Sequence, residues 1–163
     1  MGRGRRGHSP AVGRSRIRAA AVTVAGVFVL VGILGFVPGV TTGYDEMTFA
    51  GHESGAKLLG VFQVSILHNA VHLVFGLVGL LFARTVAGSR VYLTAGGAVY
   101  LLLWLYGLVV EHDADQPANF LPVNGADNFL HLGLGLGMVL LGLLLSAGAG
   151  ATGGTLDRPV DRP

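Results

Sequence analysis

The chain has 163 residues, of which 52% are hydrophobic and 12% are charged, and its mean hydropathy is +0.63. Soluble domains carry about 25% charged residues, so this composition excludes an ordinary soluble domain and indicates a membrane protein. The chain has no cysteine, which excludes disulfides, thiolate ligands and catalytic thiols. The sequence pI is about 9.4, but six of the eleven cations precede residue 19, ahead of an apolar run, so the basic charge indicates membrane topology and no nucleic-acid partner.

Four apolar runs predict four membrane helices, at about 19–37, 66–83, 91–110 and 125–147. At 1.5 Å per residue, each run matches a hydrocarbon core of roughly 30 Å. Because a backbone in lipid must satisfy its own hydrogen bonds, each run is predicted to be α-helical. The membrane domain is predicted to span 17–147, between a disordered basic tail at 1–16 and a disordered tail at 148–163. In the first loop, Lys57–Phe62 is predicted to be a short interfacial helix or the frayed start of the second helix.

The distribution of charge predicts the orientation of these helices. Ten of the eleven cations lie in the two tails and in the loop after the second helix, whereas Lys57 alone lies on the other side with seven of the nine acids. The positive-inside rule therefore predicts a multi-pass protein of the cell membrane with both termini in the cytoplasm. The first run is longer than the apolar part of a signal peptide, and we expect it to be retained as a helix.

The second and fourth helices contain the same motif, Asn-x-x-His-Leu-x-x-Gly-Leu, which begins at Asn69 and again at Asn128. Ser65 and Asn124 precede the two helices at the position where an N-cap accepts backbone N–H bonds. Both motif helices run in the same direction, so the repeating unit is a helical hairpin. The predicted fold is all-α: a four-transmembrane-helix bundle built from two parallel helical-hairpin repeats.

The polar residues of the two motifs are expected to meet near the outer surface, because they lie on equivalent faces of the two helices. This polar cluster consists of His68, Asn69, His72, Asp127, Asn128 and His131. It has either a structural role, in which Asn69, His72, Asn128 and His131 hydrogen-bond one another and neighbouring carbonyl oxygens, or a ligand-binding role.

A ligand-binding cluster would hold either a metal ion or haem. Imidazole and carboxylate ligands suit zinc and other divalent metals, and the candidate ligands are His68, His72, His131, Glu111 and Asp127. Haem between His72 and His131 is a further alternative.

Four glycines on the motif helices are predicted to allow close helix packing, since small residues let helix backbones approach each other. They are Gly76 in the second helix and Gly133, Gly135 and Gly137 in the fourth. Gly133 and Gly137 also form a Gly-x-x-x-Gly step.

The segments Leu-His-Asn-x-x-His-Leu at 67–73 and Val-Asn-x-x-Asp-Asn-x-Leu-His-Leu at 123–132 resemble the four-helix bacterial membrane family described as domain of unknown function 4383. The resemblance covers roughly Ile17 to Ala147. One departure is Ser65-Ile66, where the family pattern leads us to expect Asn-Pro after the valine. The resemblance implies a fold and a membrane location, and it supplies no reaction, substrate or ligand.

Together these features predict a non-enzymatic multi-pass membrane protein with a structural or envelope-related role and no cofactor. No nucleophile elbow, phosphate loop or mid-helix charge indicates a catalytic residue or a transport site. The alternative is a metal- or haem-binding membrane protein that uses the outward-facing cluster for sensing, transport or redox chemistry. The predicted partners are the lipid bilayer and either a second copy of the chain or another membrane protein.

Overall fold

The structure, a computed structural model, describes residues 10–110 and 123–150, and it is all-α apart from a small sheet. The four helices are α1 (Pro10–Leu34), α2 (Ile66–Phe82), α3 (Val86–Val110) and α4 (Gly125–Gly150). Most of the two tails that are predicted to be disordered, at 1–9 and 151–163, lies outside the described residues, as do residues 111–122. Four helices are therefore present where four apolar runs predict them.

The helices extend beyond the apolar runs at three of their ends: the starts of α1 and α3 and the end of α4. Helix α1 begins at Pro10, within the predicted N-terminal tail, and ends at Leu34, before Pro38. Helix α3 begins at Val86 because Thr85 caps it: the backbone N–H of Gly88 donates to Thr85 Oγ1 at 2.9 Å. The turn between α2 and α3 is consequently very short. Hydropathy predicts where lipid ends, and a capped helix continues past that point.

The segment between α1 and α2 contains a three-stranded antiparallel sheet of β1 (Thr41–Thr42), β2 (Lys57–Leu58) and β3 (Phe62–Gln63). The prediction of a helix over Lys57–Phe62 is therefore wrong. Leu59 and Gly60 both have positive φ, at 53° and 72°, and this geometry turns the chain between β2 and β3. We call the end of the helices where this sheet lies the sheet end. The opposite end, where the α2–α3 turn lies, is called the turn end.

Helix α1 packs mainly against α2, and α3 mainly against α4. Between these pairs lies a buried core of aromatic and aliphatic side chains. Its members include Phe28, Phe75, Tyr92, Leu93, Tyr100 and Met138. Phe28 and Tyr100 meet at a ring-centroid distance of 5.2 Å, which joins α1 to α3 at the centre of the molecule.

Three helices contain segments long and apolar enough to cross a membrane: Gly13–Leu34, Val86–Val109 and Gly125–Ala147. Helix α2 is equally apolar but has 17 residues, or about 26 Å of helix. Many large apolar side chains on all four helices face outward, including Leu102, Val74 and Leu144. An apolar exterior of this kind is what a membrane protein presents to lipid.

Candidate functional site

The three histidines of the polar cluster meet between α2 and α4 at the sheet end. His68, His72 and His131 line two small cavities, of about 40 Å³ and about 100 Å³. The rings of His68 and His72 have centroids 4.5 Å apart, as expected for residues four apart on one helix face. The structure thus brings together the imidazoles that the sequence motif selects.

Each motif histidine lies against an aromatic ring of another helix. His72 stacks on Phe28 of α1 at 5.7 Å between centroids, and His131 meets Tyr100 of α3 edge-on at 5.4 Å. Phe28 and Tyr100 are not among the site residues that the sequence motif predicts. Neither residue can be recognised from the sequence alone. An aromatic residue in an apolar run can face lipid as easily as it can pack against a histidine.

Buried polar atoms at the site lack hydrogen-bond partners among residues 10–110 and 123–150. They are His72 Nδ1, His131 Nδ1 and Asn69 Oδ1. An unpaired buried polar group costs about 1–3 kcal/mol, so groups of this kind call for an explanation in terms of a partner or a ligand. The hydrogen bonds that would join His72 and His131 directly are not observed.

The two motif asparagines do not face each other; each lies against the helix that precedes its own. A Cβ at Gly35 would lie 2.6 Å from Asn69 Nδ2, and a Cβ at Gly107 would lie 2.6 Å from Asn128 Cγ. The amide of Asn69 also approaches Met47 Sδ at 3.9 Å. Each asparagine amide therefore lies in space that a glycine leaves open.

Asp127 has hydrogen-bond partners that the sequence does not predict. Its Oδ2 accepts the backbone N–H of Gln63 at 3.0 Å and of Asn124 at 3.1 Å. Asn124 in turn accepts the Asp127 N–H at 3.0 Å and donates through Nδ2 to Val61 O at 2.8 Å. These bonds cap α4 and attach β3 to it, so one oxygen of the candidate metal ligand Asp127 is already engaged.

The predicted N-caps are confirmed at both motif helices. Ser65 Oγ accepts the backbone N–H of His68 at 3.1 Å, and Asn124 Oδ1 accepts that of Asp127. Ser65 provides this cap at the position where the family resemblance led us to expect asparagine followed by proline. The cap fixes the first turn of α2, from which His68 and His72 project.

The structure separates the four predicted packing glycines into two groups. A Cβ at Gly76 would lie 2.7 Å from the Val29 backbone nitrogen, and one at Gly135 would lie 3.0 Å from the Gly97 carbonyl oxygen. Gly133 and Gly137 have no described atom within 4 Å of such a Cβ. Close packing thus occurs at Gly76 and Gly135, and the Gly-x-x-x-Gly step lies on another face of α4.

Among residues 10–110 and 123–150, no three His, Asp or Glu side chains are grouped closely enough to hold a metal ion. Glu111, the remaining predicted ligand, lies outside those residues. The larger cavity, about 100 Å³, is also below the roughly 300–1,000 Å³ typical of organic ligand sites, so it offers no room for a porphyrin. The cavities have the size of a few water molecules or one ion.

Comparison with known proteins agrees with the motif. No curated protein and no solved structure matches the chain. The family model of the domain of unknown function DUF4383 matches residues 18–144, which include most of α1 and α4, all of α2, α3 and the sheet, and the residues that line the histidine cavities. The chain therefore belongs to the DUF4383 family.

Proposed function

We propose that this chain is a non-enzymatic four-helix protein of the cell membrane with a structural or envelope-related role. Two helical hairpins, α1–α2 and α3–α4, form a bundle about a pseudo-twofold axis along the membrane normal. The polar cluster joins the hairpins near the outer surface, and both termini are cytoplasmic. The observation that carries this proposal is the equivalence of the contacts within the two hairpins.

Three kinds of contact recur with the same sequence offsets between hairpins. The amide of Asn69 lies at Gly35, as that of Asn128 lies at Gly107. At mid-helix, a Cβ at Gly76 would lie 2.8 Å from the Ala25 carbonyl oxygen, just as one at Gly135 would lie 3.0 Å from that of Gly97. The third kind is the pairing of His72 with Phe28 and of His131 with Tyr100.

Ala25 and Gly97 are separated by the same number of residues as Phe28 and Tyr100, and as Gly35 and Gly107. The offset from Asn69 to Asn128 likewise applies to the histidine and glycine pairs. The equivalence extends to α1 and α3, in which the sequence shows no obvious repeat. Contact between the equivalent residues Phe28 and Tyr100 is expected where a pseudo-axis passes.

The spanning of α2 is supported by the sheet that precedes it. Helix α2 alone is about 4 Å shorter than a typical hydrocarbon core. At its sheet end, exposed apolar residues of the loop and of the helix start extend the apolar surface: Phe49, Leu59, Val61 and Ile66. A modest mismatch of this size is tolerated by local bilayer thinning.

The test of this proposal is a topology map. Reporters inserted at Gly88 or fused after Pro163 should report the cytoplasm, and reporters at Asp45 or Asp115 should report the outside. This expectation follows from the excess of cations in the tails and the α2–α3 turn. A cytoplasmic signal at Asp115 would exclude the four-span arrangement.

A second candidate function is metal binding at the histidine cavities. The observation that favours it is the pair of buried imidazole nitrogens, His72 Nδ1 and His131 Nδ1, that have no partner in the described part of the chain. Added zinc should then raise the Tm of the parent protein by mass action. His72→Gln and His72→Leu should be equally damaging, because an amide is a poor zinc ligand.

The structural role makes the opposite demand on the same variants. His72→Gln should retain more stability than His72→Leu, because glutamine keeps hydrogen-bonding groups beside the other polar side chains of the cavity. Zinc should then leave the Tm of all three proteins unchanged. Elemental analysis of detergent-purified protein gives an independent measurement of bound metal.

A further inference from the structure

We propose that the turn end carries a binding site for one anionic phospholipid, in a groove formed by α1, the end of α2 and the start of α3. The groove has a volume of about 560 Å³, several times that of the histidine cavities. The residues that line it are Arg14, Ser15, Arg18, Ala19, Val22, Ala83 and Val86. This inference rests on the proposed membrane location.

The lining changes from cationic to apolar along the axis of α1. Arg14, Arg18 and Val22 follow one another at intervals of four residues, so they form a single stripe on one face. The stripe is about 12 Å long, with guanidinium groups at its start and Val22 at its end. A phospholipid placed along the membrane normal has the same order: a phosphate group at the interface and an acyl chain below it.

One of the two guanidinium groups is held in position by the protein. Arg18 Nε donates to the carbonyl oxygen of Ala83 at 3.1 Å, where α2 ends. This bond uses one of the five N–H donors of the guanidinium and leaves its terminal nitrogens for a second acceptor. Arginine binds phosphate through such terminal pairs, with charge-assisted hydrogen bonds.

Charge complementarity favours an anionic occupant. Arg14 and Arg18 are like charges one helical turn apart, and such pairs repel each other unless an anion lies nearby. The acids that the structure describes lie in the α1–α2 segment and in the first turn of α4, at the sheet end: Asp45, Glu46, Glu53 and Asp127. Basic pockets between membrane helices on the cytoplasmic side are suited to acidic lipid head groups.

The apolar half of the groove favours a lipid over free phosphate. Val22 is 48% exposed, and Ala19 and Val86 extend the same wall. An acyl chain would cover this wall, whereas inorganic phosphate would leave it uncovered. The volume also exceeds what a phosphate ion needs and falls in the range of organic ligand sites.

The experiment compares phosphatidylglycerol with phosphatidylcholine on the full chain in detergent micelles. Native mass spectrometry counts bound lipid, and a thermal melt measures the Tm shift that each lipid produces. Phosphatidylglycerol should give one retained lipid per chain and the larger Tm shift. In the Arg14→Gln/Arg18→Gln variant, its apparent affinity should fall at least about tenfold.

The matched control is Arg16→Gln/Arg90→Gln, which removes the same charge from two exposed arginines that do not line the groove. It should retain the bound lipid. If the double groove variant does not fold, Arg14→Gln alone tests the site while leaving the Arg18–Ala83 bond in place.

Three results would overturn the lipid site. They are equal loss of binding in the groove and control variants, an equal response to the two lipids, and a Tm shift with inorganic phosphate as large as that with phosphatidylglycerol. None of these outcomes depends on the topology map, so failure of the lipid site and failure of the proposed membrane arrangement are distinguishable.

Discussion

Replacing Gly76 by alanine tests a close approach of α2 to the backbone of α1. The new Cβ would lie 2.7 Å from the Val29 backbone nitrogen and 2.8 Å from the Ala25 carbonyl oxygen. Both atoms belong to the backbone of α1, so neither can move away by a change of rotamer. Helices α1 and α2 must therefore separate locally.

Overpacking of this kind typically costs about 1–3 kcal/mol. The alanine also gains helix propensity, up to about 1 kcal/mol in water, which partly offsets the clash. Gly26→Ala, in α1, measures that gain by itself, since no described atom lies within 4 Å of its Cβ. The free energies of unfolding of the two variants should therefore differ by the overpacking cost, about 1–3 kcal/mol, with Gly76→Ala the less stable.

The assay is reversible unfolding of the detergent-solubilised protein, followed by far-UV circular dichroism and by the fluorescence of Trp104, the only tryptophan. Gly135→Ala should cost less than Gly76→Ala, because two of its three nearest contacts are Leu101 side-chain atoms that can shift. Gly133→Ala is the control within α4. Equal stability of Gly76→Ala and Gly26→Ala would refute the close packing of α1 on α2.

Three further predictions concern the sheet end. Asp127→Ala should lower the free energy of unfolding by about 1–3 kcal/mol, because the N–H groups of Gln63 and Asn124 lose their acceptor. Asp45→Ala, at an exposed position, should be nearly neutral in the same unfolding assay. Equal effects of the two substitutions would contradict the cap. Gly107→Ala should displace the Asn128 amide and lower the Tm in a thermal melt, and an unchanged Tm would mean that the amide does not occupy this space. His72→Cys and His131→Cys, combined in this cysteine-free chain, should form a disulfide crosslink on mild oxidation, visible as a mobility shift on non-reducing gels. Crosslinking no greater than that of a lipid-facing pair would mean that the two histidines do not lie close together.

The features that the sequence predicts well are those set by short-range chemistry. Ser65 and Asn124 cap their helices because a side-chain oxygen at this position reaches the N–H three residues later, whatever the rest of the fold does. The convergence of His72 and His131 on shared cavities follows from their equal positions in two similar helices.

The features that the sequence does not predict depend on how each helix is rotated against its neighbours. Gly135 is two residues from both Gly133 and Gly137, so it lies on a different face of α4 from those two, and the motif alone cannot indicate which face meets α3. The direction of the Asn69 amide depends on the space left by Gly35, a residue distant in sequence. The sheet was missed because strands of two residues show no periodicity.

The bonds between β3 and the start of α4 have a consequence for the order in which the protein assembles during synthesis. Helix α1, the sheet and α2 make most of their contacts with one another, so they can pack before α3 and α4 are synthesised. The Gln63 N–H donates to Asp127, and the Val61 carbonyl oxygen accepts from Asn124. Both of these partners are synthesised some sixty residues later. Until α4 is present, the Gln63 N–H in β3 and the Val61 carbonyl just before it lack these two partners. A chain truncated before residue 124 should therefore leave this strand edge without its partners on α4, and added protease should cleave the edge more readily than in the full chain.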